Sequence, residues 1–312
     1  MKAAQIKSYG GEAVLYTVTD APKPKAGSGQ VLVEVYAAAA NPFDYKVREG
    51  YMKDFIPLNL PATLGGDVAG KVAAIGNGVS GFEIGQAVYG MANAGGGQGS
   101  FAEFTPVVAT QLAPKPNSLD FITAAALPLA AVSAYQALVD HINLQAGQKI
   151  LVHGGAGGIG SIAIQLAKHL GAYVATTASV DEAGFVKDLG ADEAIDYHSQ
   201  DFSKLIKDYD AVFDTVGGET NTESYGVLKP GGALVSMVQP PDEALAKRYD
   251  IRYTYQSSRA TPERLAAITD LIDNGVIKVH IDKIFPLDQA AEALEYLKTG
   301  HPSGKVVIAI KT

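Results

Sequence analysis

The chain of 312 residues contains no cysteine. That absence removes a disulfide framework, a thiolate nucleophile and every zinc or iron–sulfur centre built on cysteine. Basic runs are missing too: 25 Lys and Arg stand against 33 Asp and Glu, a formal charge of −8, whereas a nucleic-acid surface needs clustered basic residues. No nucleic-acid partner is expected. Long apolar runs are also absent. Ala124 to Val132 (AAALPLAAV) is interrupted by Pro128 and falls well short of the ~20 residues that span a bilayer. Met1 to Gly11 (MKAAQIKSYGG) has no continuous apolar segment of the signal-peptide kind. The expectation is a soluble cytoplasmic protein with no membrane partner. Six histidines (His141, His153, His169, His198, His280, His301) include no close pair at metal-ligand spacing. Neither a GxSxG elbow nor a Walker-type lysine loop occurs, so hydrolase and ATPase chemistry have no support.

What is present divides in two. Length gives a prior of about two domains at ~150 residues each. The first third predicts short strands bounded by glycine: Val31–Tyr36, Gly70–Ile75, Ala87–Tyr89 and Phe101–Thr105, the spacing of an antiparallel barrel. From about Asp120 the texture changes. Ala124–Val139 predicts a helix, and strands then alternate with helices as in a parallel sheet with crossover connections. Those strands are Lys149–Val152, Tyr173–Thr177, Glu193–Asp196, Ala211–Asp214 and Ala233–Met237. Helices are predicted at Ile159–Leu170, Glu182–Leu189 with Gly190 as its stop, Pro262–Asn274 capped by Thr261, and Leu287–Lys298, before a last strand at Lys305–Ile310.

Directly after the KILV strand comes His153-Gly154-Gly155-Ala156-Gly157-Gly158-Ile159-Gly160, followed by the helical SIAIQLAKHLG. Gly155, Gly157 and Gly160 satisfy GxGxxG with a strand before and a helix after, the context in which the pattern carries meaning. The first glycine permits a tight turn, the second lets backbone approach a pyrophosphate, and the third allows close helix–strand packing. The anion then sits at the helix amino end, where free N–H groups and the dipole favour it. Gly76-Asn77-Gly78-Val79-Ser80-Gly81 matches the same pattern but has no helix behind it, so it reads as a turn. Gly95-Gly96-Gly97 reads as a hairpin tip.

The end of the second strand bears on which dinucleotide is bound. An NAD site usually places Asp or Glu about 20 residues past the glycines to accept from the ribose hydroxyl. Here Thr176-Thr177-Ala178-Ser179 is small and hydroxyl-bearing, which favours NADPH, although Asp181 and Glu182 follow closely and could supply the NAD pattern.

In order along nearly the whole chain stand NPFDYKVREG (Asn41–Gly50), LGGDVAGKVAAIG (Leu64–Gly76), LPLAAVSAYQAL (Leu127–Leu138), HGGAGGIG, FVKDLGAD (Phe185–Asp192), IDY (Ile195–Tyr197), FDTVGG (Phe213–Gly218), LKPGG (Leu228–Gly232) and the closing GKVVIAI. In this series the chain resembles the medium-chain dehydrogenase/reductase superfamily, and within it the zinc-free, zeta-crystallin-like quinone oxidoreductases. The resemblance implies an α/β chain with a GroES-like β-barrel catalytic domain (1–120 and 262–312) and a Rossmann doubly wound parallel sheet (121–261). It also implies a homodimer. Zinc-dependent members carry a cysteine where Asn41 stands and His-Glu where Gly66-Asp67 stands, so no metal is expected.

Without a Lewis acid, hydride transfer suits acceptors that already delocalise negative charge. The implied activity is an NADPH-dependent reductase of small quinones or α,β-unsaturated carbonyls. An enoyl-thioester reductase and a non-catalytic NADPH-binding regulatory protein are the alternatives. The resemblance implies that Gly155, Ala156, Gly157, Gly158, Ile159 and Gly160 line the pyrophosphate. Thr177, Ser179 and Tyr197 would lie toward the adenosine 2′-phosphate, with Glu182 where a basic residue often falls, and Val216 and Met237 would border the nicotinamide. Lys305 either closes over the cofactor or is a solvated edge charge. Asn41 hydrogen-bonds near the nicotinamide ribose or the substrate oxygen, or merely caps an Asn-Pro turn. Lys46 and Tyr51 are candidate donors to the substrate oxygen.

Overall fold

Val-rich alternation in the first third and a βα rhythm after Asp120 resolve into two units. The computed structural model describes residues 1–93 and 96–311. One unit is Met1–Leu129 with Ala260–Asn274 and Val279–Thr312; the other is Ala130–Arg259 with Gly275–Lys278.

The first unit begins with β1 (Ala3–Ile6), β2 (Leu15–Val18), β3 (Gln30–Ala40), β4 (Ala62–Thr63), β5 (Asp67–Ile75), β6 (Ala87–Met91), β7 (Phe104–Val108) and β8 (Leu112–Pro114), with helix α1 (Pro42–Arg48) between β3 and β4. β2-β1-β4 form a small antiparallel sheet. β3 is longer than Val31–Tyr36 because Ala37–Ala40 continue it, all four buried. The predicted strand at Phe101–Thr105 is displaced: Phe101 is a core side chain, Ala102 makes only an isolated bridge to Ala3, and the strand begins at Phe104. Gly76–Gly81 is a turn between strands, as expected. The hairpin-tip reading of Gly95–Gly97 is corrected for its described residues, Gly95 lying outside them. β6 pairs with β5 and β8 while β7 pairs with β3, so this segment joins strands that are not neighbours.

The single helix expected over Ala124–Val139 is broken. Pro128 lacks an N–H and its ring clashes with the preceding turn, so α2 (Phe121–Ala125) ends before it and α3 (Pro128–Tyr135) starts on it. A π-turn, Gln136–His141, then follows.

The second unit carries β9 (Lys149–Val152), α4 (Gly158–His169), β10 (Tyr173–Ala178), α5 (Ala183–Asp188), β11 (Glu193–Asp196), α6 (Phe202–Leu205), β12 (Tyr209–Asp214), α7 (Glu219–Ser224), β13 (Leu228–Ser236), α8 (Glu243–Tyr249) and β14 (Arg252–Tyr255). Its strands are all parallel in the order β11-β10-β9-β12-β13-β14. Numbered within the unit this is 3-2-1-4-5-6, a doubly wound sheet. Leu151, Ala175, Val212 and Leu234, one from each central strand, meet Ile195 and Tyr225 in its core. Burial on both faces explains why these strands read as apolar runs rather than alternations. β14 was not foreseen, because RYTY is only partly buried at the sheet edge.

The chain then returns to the first unit. Helix α9 (Pro262–Asp273) begins as predicted, with Thr261 Oγ1 accepting from the Arg264 amide at 3.3 Å. Next come β15 (Ile281–Pro286), α10 (Ala290–Thr299) and β16 (Lys305–Ala309). β16 inserts between β15 and β3, giving the larger sheet the order β15-β16-β3-β5-β6-β8 with β7 also on β3. A strand near the carboxyl end is thereby an interior member of the amino-terminal sheet. No helix among the described residues is long and apolar enough to cross a membrane.

Candidate functional site

Two constellations carry chemistry, one in each unit. In the first unit, β3 ends at Ala40 and Asn41 caps α1 in a capping box, with Pro42 opening the helix. The Asn41 amide donates to Asp44 Oδ2 at 2.8 Å. The Asn41 side chain is spanned on both ends: Nδ2 donates to Asp67 Oδ2 at 2.9 Å, and Oδ1 accepts from Lys305 Nζ at 2.6 Å. Lys305 also reaches Asp67 Oδ2 at 3.2 Å, and the other Asp67 oxygen accepts from the Leu129 amide at 2.8 Å. Asn41, Asp44, Asp67 and Lys305 are all buried. Lys305 is therefore not a solvated edge charge, because β16 lies between two strands rather than at the sheet margin.

Asp44 is buried beside Asp67 in this cluster. Burial pushes its carboxyl up to about 7; the Asn41 amide opposes that rise, the Asp67 carboxylate adds to it, and the Lys305 ammonium opposes it again. Its Oδ1 meets no donor within hydrogen-bond geometry among the described residues, although the Gly65 backbone nearby also lowers the value. Neither Asp44 nor Asp67 was singled out from sequence. The signal that could have found them is the pair of acidic residues in NPFD and GGD, each beside a position already under suspicion. Lys46 is half-buried on α1. Tyr51, in the turn that follows, is 70% exposed.

A zinc ion does not suit these residues. The oxygens of Asn41 and Asp67 are already bridged by an ammonium, which is a cation in its own right, and among the described residues no metal-capable group of His, Asp or Glu forms.

In the second unit, β9 runs into the glycine loop and α4 starts at Gly158 with Gly157 as N-cap. A Cβ on Gly155 would collide with the Thr176 hydroxyl of β10, and one on Gly160 with the Gly154 carbonyl of the loop itself. A Cβ on Gly157 would meet only the Gly154 carbonyl, at 3.4 Å. The first and third glycines thus close the loop, and the second leaves an open approach to the first-turn amides that an α-helix cannot pair internally. That cradle fits a pyrophosphate. Gly155, Ala156 and Gly160 are buried, whereas Gly157, Gly158 and Ile159 form the accessible part.

Beneath the loop lies His153, which sequence reasoning passed over as one of six histidines without a metal partner. Burial pushes its imidazole down to about 4, opposed by Asp214. The Gly154 amide donates to Thr177 Oγ1 at 3.1 Å, and that hydroxyl lies 3.2 Å from His153 Nδ1. On the other side Nε2 lies 3.0 Å from Ser224 Oγ, whose own proton goes to the Thr220 carbonyl at 2.6 Å. Ser224 spends its proton on Thr220, so Nε2–H donates to Ser224; burial keeps the ring neutral, and Nδ1 then accepts from the Thr177 hydroxyl. Thr177 is consequently a strut under the loop.

The remaining candidates lie at strand ends. Val216 is 54% exposed, its amide held by Asp214 Oδ1 at 2.9 Å. The Met237 amide donates to the Asp214 carbonyl at 3.0 Å, and its sulfur accepts from Gln256 Nε2 at 3.2 Å. Ser179 follows β10 and is tied to Glu182, whereas Tyr197 follows β11 and lies against His198, the rings tilted by 39° with centroids 4.2 Å apart.

A 3-2-1-4-5-6 parallel sheet whose first strand feeds a glycine loop and a helix amino end is the arrangement of a dinucleotide-binding domain; joined to a barrel-like unit, it is the arrangement of a two-domain dehydrogenase. Comparison with known proteins agrees. The alcohol dehydrogenase GroES-like domain matches residues 27–117 and the zinc-binding dehydrogenase family matches residues 189–308. The chain is 40% identical to 2-methylene-furan-3-one reductase of Solanum lycopersicum over 321 residues, covering 99% of this chain and 79% of that one. It is 39% identical to the chloroplastic NADPH-dependent alkenal/one oxidoreductase of Arabidopsis thaliana, with the same 99% and 79% coverage. The structure of the quinone oxidoreductase from Coxiella burnetii superposes with a TM-score of 0.91 at 36% identity, covering 100% of this chain and 99% of that one. The chain belongs to the medium-chain dehydrogenase/reductase superfamily, in its zinc-free quinone oxidoreductase-like family.

Proposed function

We propose that the chain is a zinc-independent, NADPH-dependent reductase that delivers hydride to quinones or α,β-unsaturated carbonyls. The observation that carries this reading is the Lys305 ammonium held between Asn41 and Asp67, two positions that the resemblance matches to the metal-binding motifs of zinc-dependent members. A site that supplies no Lewis acid favours acceptors whose product anion is a delocalised hydroquinone anion or enolate, which needs only hydrogen bonds and a later proton. Similarity to a furanone reductase, an alkenal/one oxidoreductase and a quinone oxidoreductase points to the same acceptors.

NADPH, when bound, supplies the hydride. The amides of Gly157, Gly158 and Ile159 hold the pyrophosphate, and Val216 and Met237 border the nicotinamide. Asn41 is oriented by its two partners, so its amide cannot rotate without breaking a contact to Lys305 or Asp67. Lys46 and Tyr51 are the candidate donors to the product oxygen, with water able to replace the exposed phenol. The exposed edge strand β14, with Tyr255 on its surface, supports pairing of two copies as a homodimer. The enzyme is read as cytoplasmic.

Oxidation of NADPH is to be followed by stopped flow with benzoquinone, phenanthrenequinone and a short enal. Turnover with at least one acceptor is expected. No turnover with any of them, in protein shown to bind NADPH, would replace the enzyme by a binding protein.

A further inference from the structure

In a doubly wound sheet the strand after the glycine loop delivers at its carboxyl end the residues that meet the adenosine ribose. Here that strand is β10, and its end is closed by a carboxylate. The Ser179 amide and the Ser179 hydroxyl both donate to a single oxygen, Glu182 Oε2, at 3.1 and 2.8 Å. The contact is one half of a capping box, so the carboxylate is fixed to the strand end by two bonds. Ser179 donates its proton inward and cannot offer it to a phosphate in this arrangement.

The neighbouring strand adds to the same sign. β11 sets Asp196 opposite Ala178, and the Asp196 carboxylate is held in place by the Ser199 hydroxyl and the His198 amide. Residues 176–184 and 194–200 together hold Asp181, Glu182 and Asp196 and neither Lys nor Arg, while Asp201, next along, is paired with Lys204 at 2.8 Å. A 2′-phosphate brought to this strand end meets fixed negative charge. A 2′-hydroxyl meets an acceptor.

We infer that Glu182 is a specificity-determining residue for the dinucleotide, with Ser179 as its positioning residue, and that through it the chain accepts NADH alongside NADPH. The inference rests on the dinucleotide-dependent reading above and narrows it. Glu182 supplies a partner for the ribose hydroxyl and repels the phosphate, which together remove the strong discrimination that an open, hydroxyl-lined strand end would allow.

Direct calorimetric binding tests this without turnover, using NADPH, NADH, adenosine 2′,5′-bisphosphate and AMP as probes. In the unaltered protein the dissociation constants for NADPH and NADH are expected within about tenfold of each other. Glu182→Gln, which keeps an acceptor for Ser179, is expected to tighten NADPH and the bisphosphate by about tenfold and to change NADH and AMP by less than about threefold. Glu182→Lys extends the change in the same direction. A purely structural role for the cap would move all four probes together and lower the melting temperature of the ligand-free protein. A preference for NADPH above about a hundredfold in the unaltered protein, or an NADPH:NADH ratio indifferent to both substitutions, overturns the inference while leaving dinucleotide binding intact. Failure of every probe to bind overturns the dinucleotide reading and this one with it.

Discussion

The two units hold their working groups by opposite means. In the second unit the working groups are backbone amides at a helix end, and the nearest buried titratable side chain, His153, is kept neutral by burial and by two hydroxyl partners. In the first unit they are side-chain charges, Lys305 and Asp67, bridged by Asn41 and crowded by Asp44. A backbone cradle works through the absence of side chains and tolerates little that is added to it. A buried ionic cluster works through the presence of every member and tolerates little that is taken away.

Removing one charge should therefore produce the largest effect. Lys305→Met deletes the ammonium and leaves Asp67, whose side chain is fully buried, without its cation. Breaking a buried pair from one side costs about 3–5 kcal/mol, to be read from urea unfolding at neutral pH. The double variant Lys305→Met/Asp67→Asn should recover part of that loss, since no uncompensated charge then remains. A loss below about 1 kcal/mol for the single variant would mean that water or a shifted neighbour solvates Asp67, and the contrast between the units would weaken.

Adding one carbon should act on the second unit. Gly160→Ala drives a Cβ into the Gly154 carbonyl, whereas Gly157→Ala meets its neighbour at 3.4 Å, an ordinary contact. The first is expected to cost about 1–3 kcal/mol of stability, as overpacking does. The second should leave unfolding of the ligand-free protein nearly unchanged while weakening dinucleotide binding, because only the approach to the helix amides is obstructed. Equal losses of stability in the two variants would show that the glycines share one packing role rather than dividing closure from access.

The same contrast explains what the sequence discloses. Gly155, Gly157 and Gly160 lie within six positions and between a strand and a helix, so their geometry is local and the pattern announces it. The ionic cluster joins Asn41 to Lys305 across 264 positions, through a strand inserted into a sheet begun near the amino terminus. No periodicity reports such an insertion. Lys305 and Asn41 could be suspected only by resemblance, and nothing local told that Asp67 and Asp44 close around them. His153 stood in plain view beside the loop, but nothing local distinguishes a neutral strut from a surface histidine; the distinction is made by Thr177 on β10 and Ser224 on α7. The break of the Ala-rich helix at Pro128 was available from the residue type and was outweighed by composition.

The mildest test separates Asp44 from the rest of its cluster through pH. A carboxyl with a folded value near 7 and an ordinary value of 3.8 binds a proton more tightly when folded. The folded state therefore holds more protons than the unfolded state between those values, and stability falls as pH rises through the window, levelling off above it. Between about pH 6 and pH 8 the expected loss from this group is about 1.4 kcal/mol. His153 runs the other way: its folded value of about 4 lies below its ordinary 6.5, so its contribution is lost as pH falls through that range. The raw pH profile of the unaltered protein mixes the two. Asp44→Asn isolates the first, because the amide oxygen can still accept from the Asn41 N–H while no proton is exchanged. The difference in unfolding free energy between variant and unaltered protein should grow in the variant's favour from pH 6 to pH 8 by about that amount. A difference independent of pH would place the Asp44 carboxylate in contact with water or in a stronger bond to Lys305, and the first unit would then hold two permanent negative charges around one ammonium.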